Sequence, residues 1–65
     1  MNNLKRINLE NIKSIEFNDF MCDNDFIILQ ANEIESVYLD EEEKVYEITN
    51  TDGIVFNSKK IRYVR

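Results

Sequence analysis

The stretch Val45-Tyr46-Glu47-Ile48-Thr49-Asn50-Thr51-Asp52-Gly53-Ile54-Val55-Phe56 decides the fold. On either side of Asp52-Gly53 lie runs rich in β-branched and aromatic residues, which suit a pleated, half-buried surface. Asp-Gly between such runs predicts a type I′ hairpin, because both central positions of that turn need positive φ. Gly53 is the only glycine in the chain, and proline is absent, so this is the sharpest turn signal the sequence holds. Two antiparallel strands meeting here set the expectation for everything around them.

Working upstream, Ile34 to Leu39 reads as a strand and is closed by Asp40-Glu41-Glu42-Glu43-Lys44. That bend lacks glycine, so a longer hairpin loop is expected. Phe26-Ile27-Ile28-Leu29 is a short continuous apolar run, which reads as a central strand buried on both faces. Another strand begins near Lys13 and ends at Phe17. The first fifteen residues fit two patterns. Leu4, Ile7, Ile12 and Ile15 span about 140° of a helical wheel, with Asn2 and Asn3 as N-cap candidates. The alternation of Ile7 and Leu9 suits a strand, and extended structure is the preferred reading.

A faint repeat runs through the chain. Asn11-Ile12-Lys13-Ser14-Ile15, Glu33-Ile34-Glu35-Ser36-Val37 and Lys60-Ile61-Arg62-Tyr63-Val64 share one pattern, each preceded by an apolar stretch and a polar break. The unit reads as strand, short turn, strand, which hairpins of similar length in any β-rich protein also generate. The expected architecture is one all-β domain over residues 1–65, with a short N-terminal helix as the variant. It is a small antiparallel barrel or strongly bent sheet of four to six short strands, similar in element size to SH3-like and Sm-like barrels. That similarity carries no functional residues across.

Length limits what such a domain can do alone. A chain of 65 residues buries only about 60% of the surface its unfolded form exposes. With no disulfide or metal to staple it, self-association as a homodimer or higher oligomer is expected. Histidine is absent and Cys22 is the single cysteine, so the commonest general base and the usual zinc patterns are missing. One glycine excludes phosphate-binding and dinucleotide fingerprints. The Asp19, Asp23, Asp25 cluster fails as a calcium loop: counted from Asp23, the required glycine and bidentate glutamate fall on Ile28 and Ile34. Glu33 and Glu35 would share a strand face, but no nucleophile or oxyanion hole accompanies them. The expectation is a protein without catalysis, cofactor or metal.

Charge is distributed in blocks. Residues 16–47 carry −10, residues 1–15 carry +2 and residues 48–65 carry +3, for a net −5. An acidic middle favours basic partners and disfavours nucleic acid and anionic membranes. It also predicts a polarised molecule if the basic ends fold together. The N-terminus lacks the apolar stretch of a signal peptide, and a lone cysteine fits a reducing, cytoplasmic setting.

These features nominate two surfaces. Asp40, Glu41, Glu42, Glu43 and Glu47 offer carboxylates to a basic partner, with Phe20 and Met21 as apolar contacts. Phe20-Met21-Cys22 sits in an Asn/Asp-rich loop, and burial beneath the sheet is the preferred reading for it. A reactive Cys22 is not expected beside three aspartates. The second surface is Lys59, Lys60, Arg62 and Tyr63, whose basic and aromatic interleaving suits a small nucleotide-like ligand. A composition poor in alanine and rich in Asn, Ile, Lys and Glu fits an AT-rich source, such as a low-GC bacterium or a phage. In size and charge the chain resembles phage-encoded inhibitors of host defence enzymes, anti-CRISPR proteins among them. The resemblance implies a non-catalytic protein that occupies a host protein's surface by mimicking nucleic acid. The alternatives are an oligomer that sequesters a small ligand, or a structural subunit of a larger assembly.

Overall fold

The computed structural model describes residues 3–65 and folds them into two antiparallel sheets. The strands are β1 (Leu4–Arg6), β2 (Ser14–Asp19), β3 (Asp25–Gln30), β4 (Ile34–Asp40), β5 (Val45–Asn50), β6 (Val55–Ser58) and β7 (Ile61–Val64). One sheet has the order β1-β4-β5-β6 and the other β3-β2-β7. The all-β expectation holds, as a bent pair of sheets without closure into a barrel, and the seventh strand comes from the three-residue β1. No N-terminal helix forms in the described residues; Asn2, one of its two cap candidates, lies outside them. The helical element present is a single 3-10 turn, Ala31–Glu33, between β3 and β4.

The core joins the inward faces of both sheets. Ile15, Phe17 and Leu29 come from the three-stranded sheet, Val37 and Ile48 from the four-stranded one. Val37 stands opposite Ile48 in the β4–β5 register, and the Phe17 and Phe56 rings meet between the sheets at 5.7 Å, tilted by 59°. That tilted geometry suits the aromatic quadrupole. Ile7, Leu9 and Ile12 have no strand partners beyond Ile7, whose N–H donates to the Val37 carbonyl (2.9 Å), yet they pack over the core's open side. Of the helical-wheel set, Ile7 and Ile12 therefore pack on the core from outside the strands, Ile15 belongs to the core on β2, and Leu4 is exposed on β1.

The repeat acquires a structural meaning. β1 to β2, β3 to β4 and β6 to β7 are the three connections that carry the chain from one sheet to the other. The hairpins β2–β3, β4–β5 and β5–β6 each stay within one sheet. The shared polar break marks a corner. At the β6–β7 corner the buried Ser58 hydroxyl donates to the Lys60 carbonyl (2.6 Å) and accepts from the Lys60 N–H (3.3 Å). At the β3–β4 corner the Glu33 carboxylate accepts the Gln30 N–H at 2.8 Å, which commits Glu33 to the turn. β4 then absorbs an extra residue, Glu35, as a bulge between Ile34 and Ser36, and bulges of this kind bend and twist a strand.

Two local expectations are corrected. Gly53 does take positive φ, at 81°, but Asp52 does not, so the turn is not type I′. Thr49 pairs with Val55, the Gly53 N–H donates to the Asn50 carbonyl (3.0 Å), and the Asn50 N–H donates to the Ile54 carbonyl (2.9 Å). This is the three-residue hairpin in which a turn is completed by a left-handed glycine. Asn50 favours it because its side-chain oxygen accepts from both the Asp52 and Ile54 N–H groups. The second correction concerns Phe26–Leu29. β3 is an edge strand, with Leu29 buried but Phe26 and Ile28 exposed at 59% and 49%. A two-sheet domain of this size covers only one face of each sheet, so a run that is apolar on both faces must expose one of them.

Candidate functional site

The β4–β5 tip is built around Asp40. Its side-chain oxygen accepts the N–H groups of Glu42 (3.0 Å) and Glu43 (3.2 Å), and the Lys44 N–H donates to the Asp40 carbonyl (2.8 Å). Lys44 takes φ 60° to bring the chain back into β5, the position at which glycine would be the unstrained choice. The loop is the longer one expected from its lack of glycine. Glu41, Glu42 and Glu43 project from it, all exposed. Asn3 braces the tip from the side: its carbonyl accepts the Glu41 N–H at 3.0 Å, and its amide reaches Glu42 at 3.4 Å. Among the described residues no tip carboxylate has a basic nitrogen within 4 Å; the ion pair found there is Arg62–Glu16 at 3.0 Å, on the three-stranded sheet.

The sequence grouped Asp40, Glu41, Glu42, Glu43 and Glu47, and the structure divides them. Asp40 spends its side chain on the turn. Glu47 lies on the outer face of the four-stranded sheet, half-buried, in a row with Arg6, Tyr38 and Asn57 set by the strand registers. The Arg6 guanidinium stands 5.9 Å from the Tyr38 ring centre in that row. The exposed acidic display is therefore Glu41–Glu43.

Phe20-Met21-Cys22 forms the β2–β3 turn at the same end of the molecule. The Asp19 side chain accepts the Met21 N–H (3.0 Å), and the Phe20 N–H donates to the Asn57 carbonyl (3.1 Å). Burial of the tripeptide is corrected: Phe20 is half-buried against β6, while Met21 is 68% exposed and Cys22 is also exposed. An Asx-type turn explains the split, since the Asp19–Met21 bond turns the chain outward one residue after the clip to β6. Asp19 beside Cys22 acts first, with smaller effects from Asp25 and Asp23, to hold the thiol above its ordinary range. The nucleophilic thiolate is scarce at neutral pH for that reason.

The basic set also divides. The Lys59 ammonium sits 5.6 Å from the Phe20 ring centre, and Lys59, Lys60, Phe20, Asn18 and Asn24 line an open groove of about 210 Å³. Arg62 does not line that groove; on the outward face of β7 it pairs with Glu16 at 3.0 Å. Tyr63 faces inward with Ile61, packed on the core, and burial first, then the neighbouring Tyr46, push its phenol above the ordinary value. The basic ends meet in part: the Lys13 N–H donates to the Val64 carbonyl (2.6 Å) and the Arg65 guanidinium to the Glu10 carbonyl (2.9 Å), whereas β1, with Lys5 and Arg6, lies in the other sheet from β7.

Two features went unread in the sequence. One is a larger open groove of about 530 Å³ between the Arg6–Leu9 segment and the start of β4. It exists because residues 7–13 leave the sheet, which no local signal announces. The other is the exposed pair Phe26 and Ile28, whose signal was present in the apolar run itself. Comparison with protein-family models, curated proteins and solved structures finds no match to this chain.

Proposed function

We propose that this chain is a non-catalytic protein-binding module that docks Glu41, Glu42 and Glu43 on a basic surface of its partner, with Met21 as a neighbouring apolar contact. The observation behind the reading is a tip that holds three exposed carboxylates without basic partners among the described residues, on a turn whose backbone is already fixed by Asp40. A firm mount matters because each exposed ion pair contributes only about 0–1 kcal/mol, whereas adjacent charges held together steer encounter and set register. Lysines and arginines that normally grip phosphates would find charge-assisted acceptors here. Inhibition of a host defence protein by a phage- or mobile-element-encoded chain, inside the cytoplasm, is the biological setting this chemistry fits.

The groove shared by Phe20, Lys59 and Lys60 favours one second reading, capture of a small anionic aromatic ligand. The two readings separate in one experiment. Immobilised wild-type chain is compared with Glu41→Gln/Glu42→Gln/Glu43→Gln and with Lys59→Gln/Lys60→Gln in capture from a source lysate, each eluted along a salt gradient. The docking reading expects a basic protein that wild type and the lysine variant retain, that salt releases, and that the triple variant loses. Retention by the triple variant with unchanged salt sensitivity would overturn it. A small molecule lost only by the lysine variant would support the second reading.

A further inference from the structure

The edge of β3 carries an interaction surface of its own. Its strand register with β2 is continuous over six residue pairs, without a bulge. The Ala31 N–H donates to the Lys13 carbonyl at 2.8 Å, which fixes the alternation: Leu29 and Ile27 exchange hydrogen bonds with β2, and Gln30, Ile28 and Phe26 aim their backbone groups away from it. The Gln30 N–H confirms the phase, because it turns outward to the Glu33 carboxylate. That contact closes one end of the edge, and the left-handed pair Asp23–Asn24 (φ 54° and 58°) closes the other. What remains open is the backbone of Phe26 and Ile28, beneath two exposed apolar side chains.

Soluble proteins usually protect such edges with lysine, proline, a bulge or a very short strand. β7 carries Arg62, β1 is three residues long with Lys5 and Arg6, and β6 is four residues long, with its Asn57 carbonyl taken by the Phe20 N–H at 3.1 Å. β3 has none of these, and between Asp25 and Gln30 it has no charge.

We propose that β3 pairs antiparallel with β3 of a second copy of this chain, extending the three-stranded sheets into one six-stranded sheet. The open window selects the register. Phe26 must stand opposite Ile28 of the second copy, with Ile27 on the two-fold axis, because shifting by two residues in either direction meets the Gln30–Glu33 contact or the turn. In that register both copies exchange backbone bonds at Phe26 and Ile28. The four outward side chains then form one apolar cluster, since residues directly opposite share a face. Phe26 and Ile28 together offer roughly 200 Å² per copy, using ordinary side-chain areas. That is small beside the ~1,200 Å² of a stable interface, so the dimer is weak and concentration-dependent. This pairing does not rest on the acidic-tip reading, and it differs from the joining of basic ends to an acidic middle expected from charge alone.

Amide hydrogen exchange and sedimentation at about 20 µM and about 1 mM, a range that brackets weak association, test it. The expected result is a doubled mass at the higher concentration, with the Phe26 and Ile28 amides slowed about tenfold or more while Ile27 and Leu29 do not change. Ile28→Lys should stay monomeric with both amide rates independent of concentration. The triple Gln variant of the tip should still dimerise. Added salt should leave the dimer intact or strengthen it, because copies of charge −5 repel. A monomer at the higher concentration, a dimer with unprotected Phe26 and Ile28 amides, or a dimer dissolved by salt would each overturn the proposal. The wild-type exchange pattern decides the matter even if Ile28→Lys fails to fold.

Discussion

Replacing Gly53 isolates a backbone effect from a packing effect. The residue has φ 81°, and a Cβ built on it meets nothing within 4 Å. Any loss of stability on Gly53→Ala therefore comes from conformation and not from a clash. Holding an L-residue in the left-handed region costs roughly 1–2 kcal/mol, and the reduced freedom of the unfolded chain returns about 0.4–1 kcal/mol. The net expectation is a loss near 1 kcal/mol, which for a domain of this length lowers the melting temperature by roughly 4–8 °C. Gly53→Val should lose more, because β-branching narrows the side chain's options as well. Gly53→Asn should lose least, since asparagine visits this region readily. Thermal and urea unfolding followed by circular dichroism reads all three. The reasoning fails if Gly53→Ala is neutral, or if Asn falls as far as Val.

Two other variants probe the turns that mount the candidate sites. Asp40→Ala removes the acceptor of the Glu42 and Glu43 N–H groups and should destabilise by about 1 kcal/mol. Asp40→Asn keeps that acceptor and should be nearly neutral in urea unfolding, and equal losses would show that charge rather than hydrogen bonding matters there. Cys22 should react slowly with iodoacetamide at neutral pH despite its exposure, because Asp19 foremost raises its pKa. Asp19→Asn lowers that pKa, increases the thiolate fraction and should shift the pH–rate profile to lower pH; an unmoved profile would remove Asp19 as the cause.

The all-β architecture and the hairpins β4–β5 and β5–β6 were legible because their signals are local. β-branched runs, an Asp-Gly pair and a glycine-free acidic bend each constrain only a few neighbouring dihedrals. The candidate sites were legible as residue types and not as groupings. Asp40 and Glu47 read as members of an acidic row, yet one caps a turn and the other lies on a sheet face. Arg62 and Tyr63 are adjacent in sequence and face opposite sides of β7. Strand alternation already implies the second division, but the first depends on which backbone N–H groups the turn leaves open.

By itself, then, the sequence determined which segments are extended, where they turn, and that one glycine must sit at positive φ. The tertiary structure decided which strands lie at the edges, which corners cross between sheets and which apolar faces remain uncovered. β3 shows the difference: Phe26-Ile27-Ile28-Leu29 has the composition of a central strand and occupies an edge. Strand order depends on pairings between segments far apart in the chain, such as β2 with β7 and β1 with β4. Their free energy comes from joint burial of side chains around Ile15, Val37 and Ile48, and no local propensity encodes that sum.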